Sequence, residues 1–187
     1  MDKELGMYLS HKCKDLYNYI CIQMYMLVSN TSTLVLLAKV DCLEAFIDFS
    51  PTIEIPSQVK EEALFERDSY YARVIRKFIE SEKIKVKRIN EVKLKIVLSE
   101  FRLDEGEAAA YLLFDNKKHN AILTDDGELI KLCKLQNIPF ICAMAIIIRM
   151  YEKKLLTKNK TLEKLEELNK IGRYSKEIYK HFMMEVI

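Results

Sequence analysis

The chain predicts an α/β fold, with a central parallel sheet of four or five short strands and helices on both sides. Three observations predict it. Two apolar runs of strand length, Met26-Leu27-Val28-Ser29 and Ala121-Ile122-Leu123-Thr124, each stop at polar turn residues. Segments of helical periodicity separate the strand-like runs, and strand–helix alternation specifies parallel pairing with helices on the sheet faces. Glycine and proline are scarce, 4 and 3 among 187 residues, as suits a compact, helix-rich domain.

The elements follow in order. A strand over 26–29 leads into a helix over 32–38, which Ser32 is placed to cap. A short helix over 43–47 and a strand over 52–55, ended by Pro56, come next. One long helix is expected over 57–82. A β-like stretch over 84–86 and a helix over 92–98 follow. A helix over 104–114 has Asp104 as its N-cap, and a strand over 121–124 precedes a helix over 127–135. Asn137-Ile138-Pro139 turns into a strand over 140–142, and helices broken at Gly172 complete the chain. The expected organisation is an N-terminal extension over 1–24 with a helix over 14–20, a catalytic domain over 25–145, and a helical tail over 146–187 packing on it. Met24 and Met26 stand directly before the first strand, and either is a candidate start.

Half of the residues are hydrophobic, 31% are charged, and the net charge is +2, the profile of a globular domain with no global basic signal for nucleic acid. The apolar run over 19–28 is too short to span a bilayer and is followed by no small-residue cleavage site. No membrane association and a cytoplasmic location are therefore expected. The five cysteines form no C-x-x-C pair and several lie in apolar runs, which reads as reduced thiols used as small core residues. The three histidines lack metal-ligand spacing, which argues against zinc.

The chemistry lies in carboxylates at strand ends and helix starts. In an open parallel sheet, sites form beyond the carboxyl ends of the strands. Asn30 and the pair Asp125-Asp126 follow the two apolar strands. Glu62 shares a helical face with Val59 and Ala63, and Glu107 shares one with Ala110, Tyr111 and Phe114. Carboxylates gathered at one point repel each other unless a hard cation lies between them. Each residue has an ordinary alternative. Glu62 is also a boundary residue, Glu107 has capping-box spacing to Asp104, Asp126-Gly127 is a turn, and Asn30-Thr31-Ser32 is a turn and cap sequence. The joint order and strand context carry the signal.

Four motifs then resemble the PIN-domain ribonuclease family, in the branch of VapC-type toxins. They are Asn30-Thr31-Ser32-Thr33-Leu34, Ile55-Pro56-Ser57-Gln58-Val59-Lys60-Glu61-Glu62, Gly106-Glu107-Ala108 and Thr124-Asp125-Asp126. The tail segment Gly172-Arg173-Tyr174-Ser175 is similar to that branch as well. The resemblance implies a PIN-like fold and a Mg²⁺- or Mn²⁺-dependent endoribonuclease, the toxin of a toxin–antitoxin pair cutting structured cytosolic RNA. Asn30, Glu62, Glu107 and Asp126 are the implied catalytic residues. These four and Asp125 are the implied metal ligands, supported by Thr31, Ser32 and Thr124. RNA and an antitoxin protein are the implied partners. Asn30 departs from the family, which has Asp there. A weakened natural homologue, an engineered substitution, and sufficiency of the remaining acids are all open. The alternative function is a weakened PIN-like module that binds RNA or a protein.

Two further expectations concern the surface. Arg76, Lys77, Lys83, Lys85 and Arg88 are candidate RNA contacts, with Arg76 and Lys83 on one face of a continuing helix. The apolar run over 143–148, with Met144 and Met150, suggests a homodimer; the alternative is a buried core helix.

Overall fold

The computed structural model describes residues 26–50 and 52–187. The N-terminal extension, its expected helix and the choice of start lie outside the described residues. Five strands, β1 (Met26–Ser29), β2 (Thr52–Pro56), β3 (Ile84–Lys87), β4 (His119–Leu123) and β5 (Phe140–Ile141), form one parallel sheet in the order β3-β2-β1-β4-β5. The chain builds outward from β1 on one side, then returns to place β4 on the other. Leu27 is in register with Ile53 and Ala121, and Ser29 with Leu123. The two strand ends expected to be neighbours are neighbours, and the topology reverses between them.

The helices are α1 (Thr31–Lys39), α2 (Leu43–Phe49), α3 (Ser57–Ala63), α4 (Tyr70–Glu80), α5 (Glu91–Glu100), α6 (Glu105–Leu113), α7 (Gly127–Leu135), α8 (Ala143–Glu152), α9 (Lys158–Ile171) and α10 (Lys176–Met184). The main core packs α1–α4 and α8–α10 against one sheet face through Leu27, Ile53, Ile55 and Leu123. The second face carries Val28 and Ile122 under α6 and α7, and α5 packs beside α6. The alternation of Leu27 and Val28 between faces is the two-residue period of a strand covered on both sides.

Three expectations need correction. The single helix over 57–82 is two helices, separated at 64–69. Leu64 caps α3, and Ser69 starts α4 by accepting a bond from the Ala72 N–H. Periodicity over such a span conceals a break that a Ser cap creates. α4 stops at Glu80, and Glu82 takes a left-handed φ of 58°, so Lys83 lies beyond the helix and does not share its face with Arg76. The first helix is capped by Asn30 rather than Ser32: its Oδ1 accepts from the Thr31 N–H at 2.7 Å.

The run over 143–148 is the interior of α8, with Met144 and Ile147 fully buried and Ile146 3% exposed. It is filled by this chain's own core, so it supplies no motive for a dimer. The tail helices contribute Leu165, Leu168 and Phe182 to the same core. Among the described residues, Cys42, Cys133 and Cys142 are buried, and burial pushes the Cys42 and Cys133 thiols up to about 11 and 12. Such thiols are packing groups rather than nucleophiles. No helix among the described residues is long and apolar enough to cross a membrane.

Candidate active site

The site forms where β1 and β4 end side by side. The Asn30 N–H donates to the Leu123 carbonyl at 2.9 Å, which ties the end of β1 to the end of β4. Asn30 then opens α1, and Asp126 opens α7 with Oδ1 accepting from the Glu128 and Leu129 N–H groups at 2.7 and 3.1 Å. Thr124, fully buried, accepts from the Asp126 N–H at 3.1 Å. From the second face, α6 brings Glu107 to Asp126. Glu107 completes a capping box: its N–H donates to Asp104 Oδ1 at 2.7 Å, and its Oε2 accepts from the Asp104 N–H at 3.0 Å. The capping alternative is realised, and the same side chain also reaches Asp126.

Glu62 reaches inward from α3. The residue is solvent-exposed, yet its Oε2 accepts from the Thr31 hydroxyl at 2.6 Å. It also lies over Gly106, where an added Cβ would come within 2.6 Å of that same oxygen. The glycine is needed for this close approach. Gly106→Ala is expected to leave folding stability within about 1 kcal/mol, because alanine favours a helix and the obstructing atom is the tip of a flexible side chain. The same change displaces the Glu62 carboxylate. A melt should be nearly unchanged while divalent-cation affinity, read by calorimetry, falls on the order of tenfold.

Electrostatics mark these acids as a stressed group. Burial, then the hydrogen bond to Asp126, raises the Glu107 carboxyl to about 8. Burial also pushes Asp126 up. The bond from Glu107, the Leu129 and Glu128 N–H groups and the charge of Arg173 outweigh this, so Asp126 is held below its ordinary value. Desolvation and the contact between the two carboxyls thus favour a proton shared by the pair. Glu62 is raised by burial despite its Thr31 bond, with Asp104 and Asp126 adding repulsion.

Asp125 does not face this pair. Its Oδ2 accepts from the Thr33 hydroxyl at 2.7 Å, the Ala143 N–H donates at 3.0 Å, and the Tyr174 hydroxyl donates to Oδ1. Its own N–H donates to Ser32 Oγ at 3.0 Å. Burial raises its carboxyl against those three donors. Asp125 binds α1, α8 and the tail together. Tyr174→Phe should therefore cost about 1–3 kcal/mol, since it removes one donor from a buried carboxylate; a chemical denaturation midpoint reads this directly.

Among the described residues, no three His, Cys, Asp or Glu side chains stand close enough together to hold one ion in this arrangement. The chemistry of the donor set nevertheless fits a hard divalent cation. Asn30 Oδ1, Glu62, Glu107 and Asp126 are all oxygen donors, and a proton fills the place of positive charge between two of them. Beside the pair opens a cleft of about 570 Å³ lined by Thr31, Gln58, Glu61, Glu62, Phe65, Glu66, Tyr71, Asp104 and Glu105.

The expected basic contacts are dispersed. Lys77 bonds Glu44 at 2.8 Å and Lys83 bonds Asp48 at 2.6 Å. Lys83 precedes β3, at the end of the sheet away from the acids. Arg76 donates to the Arg67 carbonyl. Lys85 is exposed on edge strand β3. Arg88 follows Lys87, which is in register with Pro56, so it lies at the acid end.

The bonds of Thr33 and Tyr174 to Asp125 and the effect of Arg173 on Asp126 are interactions that the sequence did not reveal. The segment around Gly172 was visible, but nothing in it announced a bond to Asp125. A second hidden pair is Glu54 and His119, each 6% exposed. His119 Nδ1 accepts from the Asp115 N–H at 3.0 Å, so Nε2 carries the proton and faces Glu54 Oε2 at 3.2 Å. That bond links β2 to β4 across β1.

A parallel sheet with acids gathered at its reversal point offers oxygen donors of the kind that suit a hard cation. The PIN-domain family model DUF3368 matches residues 26–186, and the chain belongs to this family, whose members are generally nucleases. No curated protein and no solved structure matches the chain.

Proposed function

We propose that the chain is a Mg²⁺- or Mn²⁺-dependent endoribonuclease of the PIN family, acting as the toxin of a toxin–antitoxin pair on structured cytosolic RNA. The observation that carries the nuclease reading is the convergence of Glu62, Glu107 and Asp126 at the junction of β1 and β4. Glu62, Glu107, Asp126 and the amide oxygen of Asn30 are the proposed ligands. A divalent ion there supplies charge neutralisation at the phosphodiester and lowers the pKa of the attacking water.

The chain's own groups do the rest. Thr31 aims the Glu62 carboxylate. The Glu128 and Leu129 N–H groups fix Asp126 in its ionised form. Glu107, whose carboxyl is raised by burial and by Asp126, would hold a bound cation in its deprotonated form. Asp125, held by Thr33, Tyr174 and Ala143, serves as a brace for the Thr124–Asp126 turn rather than as a ligand. Among the expected RNA contacts, Arg88 lies at the acid end, while Lys77 and Lys83 are engaged with carboxylates.

The toxin assignment rests on the order and spacing of the four motifs, and a small open reading frame beside this gene would support an antitoxin. Asn30 favours the second reading, a weakened module that binds RNA without cutting it. Incubating RNA with Mn²⁺ and either this chain or Asn30→Asp separates the two. Cleavage by either form supports the nuclease. RNA bound but uncut by both supports the module.

A further inference from the structure

The immediate surroundings of the acid pair raise a problem of charge. The cleft beside it presents Glu61, Glu62, Glu66, Asp104 and Glu105, a surface that repels a phosphate backbone. Lys77 and Lys83 are neutralised by their own partners, and Lys83 lies at the wrong end of the sheet. Arg88 lies at the acid end but just after edge strand β3, two strands from β1, so a cation nearer the pair is needed to hold RNA in place.

The tail supplies one. α9 ends at Ile171, and the chain makes a short turn through Gly172 before Ser175 caps α10. Within that turn Tyr174 goes inward to Asp125, the residue directly before Asp126. Gly172 permits this, since a Cβ there would run into the Tyr174 ring. Arg173 is adjacent to the clamp, and its side chain is exposed. No carboxylate of the described residues stands within 4.0 Å of its guanidinium, yet its charge is felt at Asp126. A planar guanidinium with free donors, held at the edge of a metal-type acid cluster, matches the geometry of a phosphate oxygen pair.

We propose that Arg173 is a phosphate-contacting residue of the site, carried to the edge of the acid pair by the Tyr174–Asp125 clamp. This rests on the nuclease reading above and adds to it the group that holds the substrate backbone. The tail thereby becomes part of the binding surface as well as part of the core.

The test is anisotropy of a fluorescent RNA hairpin with Mn²⁺ across a salt series, with RNA integrity checked by gel. The parent chain is compared with Arg173→Ala, Arg173→Gln and Arg173→Lys. Arg173 is exposed, so these changes leave the core intact. The expected result for Ala and Gln is affinity lower by about five- to tenfold at low salt. The slope of log affinity against log salt should shrink by about 0.7–0.9, the signature of one lost phosphate contact. Lys should keep the slope. Mn²⁺ affinity measured without RNA should hold or rise, because a positive neighbour of Asp126 is gone. If the parent binds RNA and the Ala form binds it with the same affinity and slope, the inference is overturned while the nuclease reading stands. A changed Mn²⁺ affinity with an unchanged slope overturns it as well, leaving Arg173 as a charge balance for Asp126. If the parent binds no RNA with Mn²⁺, both fail.

Discussion

Asn30→Asp is expected to raise Mn²⁺ affinity on the order of 10–100-fold and RNA cleavage with it, because divalent-cation affinity follows the number of ligand charges. The fold should accept the change. Asp caps a helix as well as Asn, so the bond to the Thr31 N–H survives. Without metal the substitution adds a negative charge beside Glu62, Glu107 and Asp126, so the metal-free protein should melt lower than the parent. With Mn²⁺ the order should reverse, since a ligand that binds only the folded state stabilises it. Melting curves with EDTA and with Mn²⁺ read both signs, and equal curves for the two proteins would show that position 30 does not see the cation.

Glu107→Gln should separate stability from function. The folded state holds a proton on Glu107 up to about 8, whereas an unfolded glutamate gives it up near its ordinary value of 4.5. The folded form therefore binds more protons in this window, and the contribution of Glu107 to stability is full below 4.5 and is lost as pH rises towards 8. In EDTA the melting temperature of the parent should fall across that window. Gln keeps the shape and a donor towards Asp126 but cannot ionise, so the slope should flatten and the variant should exceed the parent in stability at pH 8. Its Mn²⁺ affinity should drop on the order of 10–100-fold. Parent affinity should itself rise with pH until about 8, as the proton yields to the cation. A melting temperature independent of pH in the parent would remove the shared proton.

Much of this arrangement is legible in the residues because local rules and the global fold agree. The strands at Met26 and Ala121 are apolar runs bounded by polar turns, and their adjacency follows from a sheet that reverses beside its first strand. α7 begins at Gly127 because Asp126 is a strong N-cap, and a cap is a local signal. Glu107 was identifiable by the same means. The break between α3 and α4 was not, because residues 64–69 retain enough periodicity to pass for helix. The orientation of Asp125 was not legible either. Its sequence neighbour Asp126 faces the cluster, and only the distant Thr33, Ala143 and Tyr174 decide that Asp125 turns the other way. Long-range donors of this kind leave no trace in spacing. The pairings of Lys77 with Glu44 and of Lys83 with Asp48 are hidden for the same reason, so a basic stretch in sequence does not form one continuous basic surface.

The proposed role of Glu62, Glu107 and Asp126 is to hold a divalent cation that cuts RNA. The most direct measurement is gel-resolved cleavage of a labelled structured RNA with Mn²⁺, by Asn30→Asp and by the double variant Asn30→Asp/Glu107→Gln, at equal folded concentration. Mn²⁺-dependent fragments are expected from the first protein, suppressed by EDTA, and on the order of 100-fold fewer from the second. Equal cleavage by both, or no cleavage by Asn30→Asp at any Mn²⁺ concentration, would contradict it.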